Sequence, residues 1–154
     1  MVADAGSSAP STGVDAGTPQ AAARCVAGRY TGAFKGQISQ AQVGSLVLTG
    51  TVTLELTLST DGRTLEVQTG VIDARDSLGT PIHAEIDGTI DCTSNQVKAG
   101  TMHGNYGAQA SADNAFSGVV DGTYDAASPP TLRGTWKVPL ANIDSSGTYE
   151  ASKQ

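Results

Sequence analysis

The stretch "GTYDAASPPTLRGTW", Gly122 to Trp136, contains the same word twice: a glycine, one residue, then a large aromatic. Between the copies lies "ASPP", a turn signal, so the two words stand on the arms of a hairpin. Side chains two apart share one face of a strand, which puts each glycine beside its aromatic on the same face. Working outward, the word recurs at Gly28/Tyr30, Gly32/Phe34, Gly104/Tyr106 and Gly147/Tyr149. It recurs with aliphatic partners at Gly50/Val52, Gly88/Ile90 and Gly100/Met102.

Apolar alternation of this kind runs from Cys25 to the C-terminus and predicts strand after strand, with no helical stretch. The first strand turns Val26, Gly28, Tyr30, Gly32, Phe34, Gly36 and Ile38 inward; the second, "LVLTGTVTLELTLST", does so with the even-numbered residues from Leu46 to Leu58. The third changes phase, from Leu65 and Val67 to Gly70, Ile72 and Ala74, which predicts a bulge near Gln68 and Thr69. The fourth supplies Ile82, Ala84, Ile86, Gly88 and Ile90, the fifth Gly100, Met102, Gly104 and Tyr106, and the sixth Phe116, Gly118, Val120, Gly122 and Tyr124. The seventh adds Leu132, Gly134, Trp136 and Val138, and the eighth Gly147, Tyr149 and Ala151. "STDGRT" holds an Asp61-Gly62 hairpin signal, and "DSLGTP", "TSNQ", "QASAD" and "ASPP" mark further turns. Sequential antiparallel strands with one apolar face and dense glycine predict closure of the last strand on the first. The expected fold is all-β: an eight-stranded antiparallel up-and-down meander barrel, with a flattened β-sandwich as the alternative.

Register is predicted from the same words, because a glycine makes room for a large neighbour across the ladder. Phe34 is expected opposite Gly50 and Gly32 opposite Val52. Between strands four and five the match is Ile90 with Gly100, Gly88 with Met102 and Ile86 with Gly104. Between five and six it is Tyr106 with Gly118, Gly104 with Val120, Met102 with Gly122 and Gly100 with Tyr124. Tyr124 is then expected opposite Gly134 and Gly122 opposite Trp136, followed by Trp136 with Gly147 and Gly134 with Tyr149.

A length of 154 residues fits one domain, assigned to residues 25–154. Nine basic against fifteen acidic residues leave a net charge of -6, which argues against nucleic acid and against anionic membrane surfaces. No apolar run approaches the roughly 20 residues of a membrane-spanning helix. Cys25 and Cys92 are expected to form one structural disulfide, as in exported proteins. Residues 1–24, "MVADAGSSAPSTGVDAGTPQAAAR", read as a flexible linker too poor in apolar residues to pack. Met1 is followed by neither a charged region nor an apolar one, so no signal peptide is expected.

The linker, with Asp-Ala-Gly at Asp4–Gly6 and again at Asp15–Gly17, resembles the tether behind the lipidated cysteine of bacterial surface lipoproteins, in wording especially those of myxobacteria. The resemblance implies an exported, periplasmic or outer-membrane/cell-surface protein that meets the membrane only through a lipid anchor outside this chain. The domain resembles avidin and lipocalin barrels, most closely in "SGVVDGTYD" and "LRGTW". That likeness implies a barrel mouth for small hydrophobic or ring-shaped ligands. The chain departs from both patterns: it has a single Trp where biotin-binding barrels use several, and it lacks the lipocalins' helix and Gly-x-Trp opening.

By parity all seven aromatics, Tyr30, Phe34, Tyr106, Phe116, Tyr124, Trp136 and Tyr149, point inward. They are either core or the lining of a ligand cavity with tyrosine hydroxyls as polar handles. On the outer face Asp87 is expected opposite His103, a cross-strand ion pair or, as a weak alternative, part of a metal site. No nucleophile elbow, phosphate-binding loop or dinucleotide fingerprint occurs, and neither His has a serine or threonine in register with it. A non-enzymatic domain without cofactor is expected. The predicted role is structural, adhesive or protein-binding; the alternative is a small hydrophobic ligand or lipid held inside the barrel.

Overall fold

Backbone hydrogen bonding follows the alternation. The computed structural model describes residues 25–42, 44–140 and 143–154, and the linker expected over residues 1–24 lies outside them. Eight strands follow one another: β1 (Gly28–Gln40), β2 (Gly44–Leu58), β3 (Thr64–Asp76), β4 (Pro81–Asp91), β5 (Gln96–Tyr106), β6 (Ala115–Asp125), β7 (Thr131–Leu140) and β8 (Ile143–Lys153). Each pairs antiparallel with the next, and β8 returns to β1, with Tyr149 opposite Phe34. The sheet is therefore a closed barrel in meander order, and closure removes the exposed edges at which another chain could add a strand.

Four hairpins are closed by an aspartate at the end of a strand or in its turn, each accepting a backbone N–H two residues on. Asp61 takes the amide of Arg63 at 3.0 Å, Asp76 that of Leu78 at 2.8 Å, Asp91 that of Thr93 at 2.7 Å and Asp125 that of Ala127 at 2.9 Å. These are Asx turns, in which the carboxylate satisfies donors left over where the ladder stops. The bonds hold the Asp61 and Asp91 carboxyls below their ordinary range, through the Ser59 hydroxyl and Arg63 amide at the first and the Thr93 and Ser94 amides at the second.

The predicted bulge is present: Glu55 faces Thr69 and Leu56 faces Val67, which leaves Gln68 without a partner across the ladder. Registers β1–β2 and β7–β8 are those expected, with Phe34 on Gly50 and Trp136 on Gly147. The other three differ. Ile86 faces Met102, Met102 faces Gly118, Gly104 faces Phe116, and Gly122 faces Gly134 while Val120 takes Trp136. Leu58, expected inside, is exposed where β2 ends.

Two causes account for the difference. Near Gly88 and Ala99, with φ of +147° and +52°, the ladder shifts between Asp87 and Thr89 and again between Gln96 and Thr101. No single register describes strands interrupted in this way. The second cause is reach. The side chain of Trp136 crosses Gly147, its partner on β8, and lies over Gly36, the next in the row on β1; its indole N–H donates to the carbonyl of Lys35 at 3.0 Å. Tyr149 does the same in the opposite sense, crossing Gly134 on β7 to lie over Gly122 on β6, with its hydroxyl donating to the carbonyl of Asp121 at 3.1 Å. Each aromatic thus needs two successive glycines in its row. Pairing Gly122 directly with Gly134 supplies them for Tyr149, whereas a one-to-one match of large with small would not.

The two ends of the barrel interior

Two cysteines far apart in sequence meet at one end. Cys25 and Cys92 form a disulfide with Cα atoms 5.6 Å apart, and β1 and β4, which they flank, are not neighbours in the barrel. The bridge therefore spans the opening and carries the segment before β1 across it. Two buried tyrosines hold that segment: Tyr30 donates to the carbonyl of Val26 at 2.6 Å, and the Tyr124 hydroxyl accepts the Val26 amide at 3.0 Å. Their hydroxyls lie 3.3 Å apart. Burial, followed by the bond to Tyr124, pushes the Tyr30 phenol far above its ordinary value. Leu54, Leu56, Leu65, Ile90, Leu132 and Ala151 fill the space behind them, all nearly inaccessible to solvent. A void of about 20 Å³ beside the irregular β4–β5 ladder has room for about one water. A formed disulfide also places the chain in an oxidising, exported setting.

The opposite end is different. A cavity of about 590 Å³ occupies it, walled by residues from all eight strands. Phe34 and Trp136, stacked with ring centroids 4.8 Å apart and planes 17° from parallel, belong to its lining. Ile38, Leu48, Ile72, Ile82, Met102 and Val138 supply aliphatic wall. Tyr106 and Phe116 stand nearer the β5–β6 connection, where one turn of 3-10 helix, Ala112–Asn114, brings Asp113 and Asn114 to the rim. Leu78, 76% exposed, and Leu140 complete the rim and open it to solvent.

Polar groups inside this end are few. Asp76, only 5% exposed, accepts the amides of Leu78 at 2.8 Å and Thr80 at 2.9 Å on one oxygen and the Tyr106 hydroxyl on the other. Burial alone would raise its pKa, but the bonds from Tyr106, Thr80 and Leu78 outweigh it and hold the carboxyl below the usual range. The Tyr106 phenol is raised, first by burial and then by that carboxylate. Ser145, 6% exposed, lies opposite Ile38 on β1 and Val138 on β7, lines the cavity, and makes no side-chain hydrogen bond among the described residues.

The aromatic residues singled out from the sequence therefore divide. Phe34, Tyr106, Phe116 and Trp136 line the cavity, whereas Tyr30 and Tyr124 belong to the plug at the disulfide end and Tyr149 to the packed interior. Asp76 and Ser145 escaped the sequence reading, although each extends its strand's inward alternation by one step, from Ala74 and from Gly147. On the outside, Asp87 faces Thr101 rather than His103. His103 faces Glu85 at 3.2 Å and reaches Asp87 only diagonally, at 3.8 Å, while His83 pairs with Asp73 at 2.8 Å. The altered β4–β5 register is the cause. All of these side chains are more than half exposed, and no three metal-ligating side chains converge among the described residues.

Comparison with protein-family models, with curated proteins and with solved structures finds no match.

Proposed function

We propose that this domain binds a small, mainly apolar ligand in the open half of its barrel. The observation that carries the reading is the unequal filling of one interior: about 590 Å³ at one end against about 20 Å³ at the other. The larger volume lies within the range of sites for small molecules, and eight strands are the number at which a barrel is either just filled or holds one such ligand. An apolar wall with few polar groups suits a ligand that is mostly hydrocarbon or ring. The sealed half, crosslinked and packed, forms the floor of that cavity.

The reading extends to placement. Both described termini lie at the sealed end, where Lys153 pairs with Tyr30 and Cys25 joins Cys92. If residues 1–24 act as an envelope tether, the chain is held by its sealed end and the mouth faces away from the anchoring surface. A structural or protein-binding role would instead use the outer threonine-rich face and leave the cavity idle.

Native mass spectrometry of the protein from its own cells, set beside the same sample denatured, separates the two. Excess mass that disappears on unfolding is expected. Equal masses, together with no change in the fluorescence of Trp136 on adding apolar probes, would overturn the reading and turn attention to the outer face.

A further inference from the structure

Among the described residues the open half carries charge of one sign only: none that line it is Lys, Arg or His, whereas Asp113 stands at the rim. Behind Tyr106 lies Asp76, a carboxylate held by the β3–β4 turn and donated to by the Tyr106 hydroxyl. The nearest basic residue in sequence, Arg75, is exposed and turned to the carbonyl of Gly79, which its guanidinium reaches at 3.0 Å. Within the cavity, Ser145 offers a hydroxyl with no side-chain hydrogen bond among the described residues, and Gln40 and Asn114 add side-chain amides at the rim. A group entering the mouth therefore meets hydrogen-bonding partners and negative potential, with no cation among the described lining residues to neutralise an anion in a partly desolvated site.

Resting on the ligand-binding reading above, we infer that the cavity selects an amphiphile whose polar end is an alcohol or an amine and discriminates against a carboxylate or phosphate on the same apolar body. The hydrocarbon lies along the aliphatic wall toward Phe34 and Trp136. The polar end stays at the level of Ser145 and Tyr106, where an O–H or N–H can donate to the Ser145 hydroxyl and a positive charge gains from Asp76 and Asp113.

The test uses the whole chain at neutral pH with decanol, decylamine and decanoate as probes, each below its aggregation limit, followed through Trp136, which is the only tryptophan. Decanol and decylamine are expected to bind, the amine at least as tightly. Decanoate is expected to be weaker by on the order of tenfold, as a like charge several ångströms away in a medium between protein and water implies. Asp76→Asn keeps an oxygen for the turn amides and should narrow the gap between decanoate and decanol, with its melting curve as the check on folding. Decanoate binding as tightly as decanol in the unaltered protein would overturn the inference and leave the cavity reading standing. A gap unchanged in a folded Asp76→Asn protein would overturn the part given to Asp76. Failure of all three probes to perturb Trp136 would overturn the cavity reading, and the inference with it.

Discussion

The sealed and open halves of this barrel are built from the same eight strands and the same alternation, yet one is packed and the other is not. The sealed half gathers Leu54, Leu56, Leu65 and Ile90 from β2, β3 and β4, and adds a lid: the segment from Cys25, a disulfide, and two tyrosines whose hydroxyls bind its backbone. The open half has Ala84 and Gly104 side by side on β4 and β5, a serine on β8, and a rim that includes the exposed Leu78 and Leu140. Filling in a small barrel is thus decided by what is laid across its end as much as by what lines its wall. On the proposed reading, stability is concentrated at the disulfide end and binding at the mouth.

The largest expected effect lies in the lid. Replacing Cys25 and Cys92 together by alanine opens a loop of 67 residues, worth about 4 kcal/mol in the chain-entropy description of a crosslink. A denaturant melt under oxidising conditions measures it, and a loss below about 1 kcal/mol would mean that the plug stays in place without its bridge. Next comes a matched pair of enlargements. Ala151→Leu, at a position with 0% exposure in the packed interior, should cost about 1–3 kcal/mol through overpacking. Ala84→Leu points into the cavity, where the added atoms have room, and should cost less than the change at Ala151 while reducing the binding of apolar probes. Equal losses at the two sites would erase the distinction between the halves.

A smaller effect is expected from Tyr30→Phe, which keeps the ring and removes the hydroxyl from Val26 and Tyr124. A loss of about 1 kcal/mol is expected, more if the Val26 carbonyl is left without a partner, and the same substitution should leave probe affinity unchanged. The smallest is a pH effect at the mouth. The Asp76 carboxyl is held below its unfolded value, so its contribution to stability is complete above about pH 4 to 5 and is lost as pH falls through the folded-state value. Melting curves on acidification should show a steeper decline for the unaltered protein than for Asp76→Asn. A slope identical in the two would mean that Asp76 contributes no more than an ordinary exposed aspartate.

Much of this was legible in the sequence because β structure writes its facing locally. Parity alone put all seven aromatics and the aliphatic wall inside, and the phase change at Gln68 marked the bulge. The glycines were correctly read as making room, with the expected partners in β1–β2 and β7–β8 but other side chains across the middle strands: Gly122 accommodates Tyr149 from two strands away and not the residue expected to face it. The same shift moved His103 from Asp87 to Glu85. Asp76 and Ser145 were missed because polar residues at strand ends look like turn residues until the neighbouring strands show that they face inward.

What the sequence by itself determined is the number of strands, their inward faces and their antiparallel order, with closure of the barrel favoured over a flattened sandwich. Each follows from a period of two residues, from turn chemistry, or from an apolar face that has to be buried. Register across the middle strands, the crossing of Trp136 and Tyr149 over paired glycines, and the division of the interior into a filled half and a hollow one were decided only in three dimensions. A side chain that reaches over two strands answers to rows of residues distant in the chain. Volume left in the interior is the remainder of all those rows at once.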